Sequence, residues 1–321
     1  MLTVNRRGLL TGLAATGVMA MISSPAAAAQ RKGFFERIGR PIGLQLYTLG
    51  EEAGRDLDAT FAQVAAIGYR DIELPSLYGR NPREIRTAAD RSGLTISSLH
   101  LAVSKLGPPT GLSLTSAPAE IADGLGALGA KRAVMPIALF PEGFRPAPGD
   151  NIQSAIARAF AAAGADLWKR TAALLNERAA ALKPVGVSVG YHNHNLEFAP
   201  IGKTNGWQIL VKECDPALIT FEADIGWVAA AGVDPVRFLG QHRGRITQLH
   251  VKDVARDNTP NFALSMRPAD VGSGTLDWAR ILPAAYKAGV RHFYLEQEPP
   301  FTTSRLDAIR HGYAFLSQLR A

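Results

Sequence analysis

Two imidazoles and a carboxylate stand close together in Tyr191-His192-Asn193-His194-Asn195-Leu196-Glu197-Phe198. This stretch follows Val185-Gly186-Val187-Ser188-Val189, an apolar run that reads as a buried strand. Three later runs change character in the same way, ending in Asp224, at His250 and in Glu296. A mixed set of imidazole and carboxylate suits Mn²⁺, Zn²⁺, Co²⁺ or Fe²⁺, and Mg²⁺ less well. No cysteine lies near these residues, which argues against a closed structural zinc site. One open divalent ion, Mn²⁺ first, would grip adjacent oxygens of a sugar or polyol and ease loss of a proton next to a carbonyl. A nearby carboxylate or imidazole would then serve as base and acid.

Chemistry of this kind needs a scaffold that brings distant strand ends together. Strands are expected at 41–48, 71–74, 95–103, 133–136, 185–189, 219–224, 246–251 and 293–296, with helical spacing between them. Eight strands alternating with helices imply a parallel sheet closed into one (β/α)8 barrel, of class α/β. In such a barrel every strand end opens on one face. Glu73, His100, His192, His194, Glu197, Asp224, His250, Lys252, Asp253, Glu296 and Glu298 all fall at such ends. Residues 137–152, rich in Pro and Gly, read as a loop and a candidate lid, and 255–274 as a second loop.

The first residues read differently. Arg6-Arg7, an apolar stretch from Leu9 to Ile22, and Ala27-Ala28-Ala29 form a cleavable export signal of twin-arginine type over residues 1–29. The apolar stretch is short for a bilayer span, so stable membrane anchoring is not expected, a retained anchor being the alternative. A lead-in of residues 30–40 then precedes a barrel domain of residues 41–321, which the signal would deliver to the periplasm through the twin-arginine export machinery. The chain of 321 residues is 47% hydrophobic and carries a formal charge of +7. Without Arg6 and Arg7 the charge is near +5, and the remaining positive residues form no long run. A nucleic-acid partner gains little support from that pattern. Cys214 is the only cysteine, so no intrachain disulfide can form, and its place before Asp215-Pro216 reads as structural.

Five motifs occur in order: Tyr191 to Phe198, Asp224-Ile225-Gly226-Trp227, Leu249-His250-Val251-Lys252-Asp253, Val271 to Trp278, and Leu295-Glu296-Gln297-Glu298. Together they resemble the sugar phosphate isomerase/epimerase family, the xylose isomerase-like TIM barrels. The resemblance implies a metal held by Asp224, His250 and Glu296 and by a fourth ligand after strand five. Glu197 is taken as that ligand and His192 as the alternative. His192, His194 and Lys252 are then expected to move protons or polarise the substrate. Glu73, His100, Trp227 and Glu298 are expected to line its pocket, Glu298 also being placed to orient a ligand.

Each residue has a plainer reading. A lone histidine after a strand is commonly just hydrogen-bonded, Lys252 could bridge to Asp253 or Glu222, and Trp227 could simply pack. His242, His292 and His311 stand away from strand C-terminal ends and read as structural. Gly272-Ser273-Gly274 lacks a phosphate loop's lysine and reads as a turn before the Asp277 helix cap. The expected activity is metal-dependent isomerisation, epimerisation or elimination/hydration of a sugar, keto-sugar or cyclitol. The alternatives are a barrel that only binds sugar and an endonuclease-four-type nuclease.

Overall fold

Eight parallel strands close into a barrel in the computed structural model, which describes residues 32–103 and 111–321. The strands are β1 (Gly43–Gln45), β2 (Asp71–Leu74), β3 (Thr95–His100), β4 (Arg132–Met135), β5 (Ser188–His192), β6 (Ile219–Asp224), β7 (Ile246–Val251) and β8 (His292–Leu295). Each pairs with its neighbours in sequence, and β1 closes on β8 through Gly43 beside Tyr294 and Leu44 beside Leu295. The expected export signal lies outside the described residues.

Local chemistry sets where the connecting helices begin. Asp56, Asn81, Asn205, Asp234, Asp277 and Ser304 each accept a backbone N–H of the helix that they precede. Those bonds satisfy donors that the first helical turn would otherwise leave bare. The long helix Ile152–Leu182 breaks at Gly164, where φ is 59°. Among the described residues no helix is long and apolar enough to cross a membrane.

Three differences from the expected elements bear on function. Strand β5 starts later than its apolar run suggested. Lys183–Val185 form a 3-10 turn and Gly186 takes a left-handed φ of 77°, so the chain enters the barrel only at Ser188. Tyr191 and His192 therefore belong to the strand. A short helix at Ile225–Ala230 begins directly at Asp224, which caps it. The lead-in contains a helix, Phe34–Ile38, whose two phenylalanines are buried. Phe35 packs edge-on against Phe293 of β8, with ring centres 5.5 Å apart, and the Phe34 N–H reaches Leu319 O at 2.8 Å. Burying each ring is worth about 1.5–3 kcal/mol, so this segment is part of the barrel's packing.

Candidate metal centre at the mouth of the barrel

Side chains two apart on a strand share a face. Glu222 and Asp224 on β6 therefore turn the same way, as do Gln248 and His250 on β7. Strand pairing sets Asp224 beside His250 and Glu222 beside both Gln248 and His192. Tyr294 of β8 pairs with His250, which carries Glu296, two residues on, to the same rim.

At that rim His192, Asp224, His250 and Glu296, all buried, offer ligand atoms within 4.8 Å of one another. His250 Nδ1 lies 2.5 Å from Glu296 Oε2 and 3.7 Å from Asp224 Oδ2, and His192 Nε2 lies 3.8 Å from the same Asp224 oxygen. Asp224 divides its carboxylate between two tasks. Its Oδ1 accepts the Trp227 N–H at 3.0 Å, whereas Oδ2 receives no directed hydrogen bond. Lys252 Nζ stands 2.7 Å from Oδ2, 3.1 Å from Glu296 Oε2 and 3.1 Å from Glu298 Oε1.

A second polar layer lies beneath the first. Glu222 Oε1 is 3.1 Å from His192 Nδ1, 3.1 Å from His250 Nε2 and 3.0 Å from His100 Nε2. Glu73 Oε2 is 2.7 Å from His250 Nε2 and accepts from Gln45 Nε2 at 2.9 Å. Gln248 Nε2 donates to Glu222 Oε2 at 2.8 Å. These contacts turn the opposite ring nitrogens, His192 Nε2 and His250 Nδ1, toward Asp224 and Glu296. Carboxylates that orient imidazole ligands in this way are part of many metal sites.

Charge follows from the same contacts. Burial, followed by the positive charge of His250, holds His192 well below the usual imidazole range and keeps it neutral. Burial and then Lys252 push His194 down to about 3. His100 is the reverse case. Burial opposes its charge, but Glu73 and the hydrogen bond to Glu222 outweigh it and raise the ring to about 10. Burial likewise opposes charge on Lys252, and Asp224 and Glu296 outweigh it. Glu298 is raised, mainly by burial.

Two expectations about site residues need correction, and one of the plainer readings takes another form. Glu197 stands outside the group at the rim. Its Oε1 accepts from Tyr191 Oη at 2.5 Å and its Oε2 from the His194 N–H at 3.0 Å, so both oxygens are spent holding the loop. Burial pushes its carboxyl up to about 8. His192, the alternative, stands within ligand spacing of Asp224, His250 and Glu296. Glu73 does not reach a pocket, since it is fully buried under His250. Lys252 pairs with neither Asp253 nor Glu222. Asp253 instead accepts from Gly272 N, Leu276 N and Trp278 Nε1, and so pins the loop before the helix Trp278–Ala288. A Cβ at Gly274 would sit 2.1 Å from Asp253 Oδ1, and one at Gly226 would sit 2.6 Å from Lys252 Cγ, so both motifs need glycine there.

Glu222, Gln248 and Gln45 were missed in the sequence. The signal was present: Glu222 stands two before Asp224 and Gln248 two before His250, on the same strand face as each. His242 accepts from Trp207 Nε1 at 2.9 Å, which fits its structural reading, and Cys214 is buried and free.

A family model described as xylose isomerase-like TIM barrel matches residues 61–319. The chain belongs to the xylose isomerase-like TIM barrel family. Solved structures agree on the fold. A sugar phosphate isomerase/epimerase from Parabacteroides distasonis is 23% identical, with a TM-score of 0.65 over 87% of this chain and 94% of its own. The 3-keto-D-glucoside 4-epimerase of E. coli is 17% identical, with a TM-score of 0.55 over 86% and 98%. A D-psicose 3-epimerase solved in the presence of D-fructose is 13% identical, with a TM-score of 0.57 over 86% and 97%. No curated protein matches the chain significantly.

Of the cavities that open at the mouth of this xylose isomerase-like barrel, two border His194 and Glu298. The inner one, about 210 Å³, is lined by His100, His192, His194, Glu296 and Glu298 among others. The outer one, about 610 Å³, is lined in part by Trp227, Met266, Gln153 and Ser265. Tyr47, His194 and Glu298 border both. The larger cavity is thus beside the ligand group, and the smaller one is against it.

Proposed function

We propose that this chain is a divalent-metal-dependent carbohydrate enzyme, an isomerase or epimerase or a related lyase or hydratase. Its substrate would be a sugar, keto-sugar or cyclitol that loses a proton next to a carbonyl. The observation that carries this reading is the convergence of His192, Asp224, His250 and Glu296, from four strand ends, on one small volume beside a pocket. The donor set fits a divalent ion: His192 is neutral, and Asp224 Oδ2 is buried with a cation, the Lys252 ammonium, already 2.7 Å away. The second group with ligand spacing, His100, His192, Glu222 and His250, shares two histidines with the first, so we assign one ion. Mn²⁺ is our first choice, with Zn²⁺, Co²⁺, Fe²⁺ and Mg²⁺ as the others to test. When bound, such an ion supplies Lewis acidity toward adjacent substrate oxygens.

The chain's own groups supply the rest. Glu298, raised by burial and bordering both cavities, is the carboxylate placed to take or return a proton. His194 stays neutral and borders both cavities, so its ring is placed beside a bound substrate. The Lys252 ammonium, 5.2 Å from the centre of the Trp227 ring, keeps positive potential at the rim for a developing oxyanion. By its first residues we also assign this enzyme to the periplasm, exported by the twin-arginine route, a setting that favours an unphosphorylated substrate.

The test is incubation of Mn²⁺-loaded protein in D₂O with a panel of keto-sugars and cyclitols. Deuterium entering a single carbon of one substrate supports the reading; no exchange with any of them sinks it. One observation favours a second reading. Lys252 already brings a cation within 3.1 Å of Asp224, Glu296 and Glu298, which suits a barrel that binds sugar without metal. Elemental analysis separates the two, because the enzyme needs one metal per chain and the binder none.

A further inference from the structure

The outer cavity is about three times the volume of the inner one, and the proton chemistry proposed above does not use it. One of its walls is the first turn of the helix Ile152–Leu182, which presents Gln153 and Ser154. Another wall is the segment 261–266, and that wall is fixed in place. Asn195, buried in the motif after β5, donates its Nδ2 to Asn261 O at 3.0 Å and to Ser265 O at 3.2 Å, and its Oδ1 accepts from Leu264 N at 3.0 Å. Leu264 is held at a left-handed φ of 52°, a conformation that a leucine keeps only when its surroundings enforce it. The same short motif that brings His192 to the ligand group therefore also shapes the outer chamber.

The lining has the chemistry of a carbohydrate site. Asn151, Gln153, Ser154 and Ser265 line it together with Trp227 and Met266. Trp227 is buried, and its indole Nε1–H has no acceptor among the described residues. That nitrogen is closed off from the chamber, so what Trp227 offers a ligand is its ring surface. His194, Tyr47 and Glu298 border both cavities, so a molecule reacting in the inner pocket can extend into the outer chamber without leaving the site.

We propose that the substrate carries a second unit, so that it is a glycoside or disaccharide whose reacting ring sits in the inner pocket and whose attached unit fills the outer chamber. This rests on the carbohydrate reading of the rim but goes beyond it, since that reading is equally satisfied by a single ring.

The test compares matched sugars on the metal-loaded full chain by calorimetry: D-fructose against lactulose and isomaltulose, and D-glucose against maltose and cellobiose. At least one two-unit sugar is expected to bind more than tenfold tighter than its one-unit parent. Gln153→Trp, on an exposed helical turn, is expected to cut that preference at least fivefold by narrowing the chamber. The proposal is overturned if every two-unit sugar binds no tighter than its parent, if no sugar of either size binds, or if Gln153→Trp leaves the preference intact. Solvent-deuterium exchange on the same samples keeps this apart from the function itself. Exchange into one-unit sugars without a size preference leaves the enzyme and removes the second subsite. Tight binding of a disaccharide without exchange into any carbonyl compound leaves the subsite and removes the enzyme.

Discussion

The ends of β5 and β6 carry the same kinds of residue and use them in opposite ways. Asp224 is the last residue of its strand. One of its oxygens caps the next helix and the other is left without a directed hydrogen bond, facing His192 and His250. Glu197 lies beyond the end of β5 in a 3-10 turn, and its carboxylate folds back onto Tyr191 and the His194 N–H. Both are fully buried carboxylates. What separates a ligand from a loop anchor here is distance from the strand end, because the strand is the rigid part that aims at the common centre.

That contrast can be broken experimentally, beginning where the effect should be largest. Asp224→Asn and His250→Ala remove two of the proposed ligands at the rim. Bound metal, measured by elemental analysis, should fall well below one per chain, and exchange activity should drop by more than the roughly 10–100-fold typical of outer-shell changes. Next comes the pair on β5. His192→Ala should weaken metal binding more than tenfold, whereas Glu197→Ala should leave metal content unchanged and lower unfolding stability by about 1–3 kcal/mol by leaving the Tyr191 hydroxyl and the His194 N–H unpaired. Metal lost from the Glu197 variant and kept by the His192 variant would reverse the assignment.

Glu222→Gln probes the layer beneath. It keeps size but weakens the acceptor that orients His192 and His250, so metal affinity should fall roughly 10–100-fold. A titration that matches the unmodified chain would reduce Glu222 to packing. The smallest effect is one of pH. Burial raises the folded Glu197 carboxyl from its ordinary value of 4.5 to about 8. The folded state then holds a proton that the unfolded chain releases, so this contribution is complete below about pH 4.5 and is lost as pH rises through about 8. Urea midpoints of the chelator-treated chain should fall over that window, and Glu197→Gln should flatten the fall. Equal slopes for the two proteins would show that the carboxyl is not held protonated.

Much of this arrangement could be read from residues alone. β2, β6 and β7 occur at the expected bounds, and Asp56, Asn81, Asp277 and Ser304 start helices as caps do. Asp224, His250 and Glu296 come together as their motifs imply. These features are local: apolar alternation marks a strand, and a short polar side chain marks a helix start, wherever in the chain they occur. β5 was harder, since its apolar run continues from a 3-10 turn and only Gly186 marks where the strand can begin.

Sequence by itself determined the eight strands, their closure into a barrel and the rim on which reactive side chains gather. Tertiary structure decided which of them share a centre. It chose His192 over Glu197, set Glu222 and Glu73 beneath the histidines, and used Asn195 to shape a second chamber. The reason is that periodicity is a property of neighbours along the chain. Convergence depends on the register between strands, and a shift of one residue there would turn each of these side chains to the opposite face of the sheet.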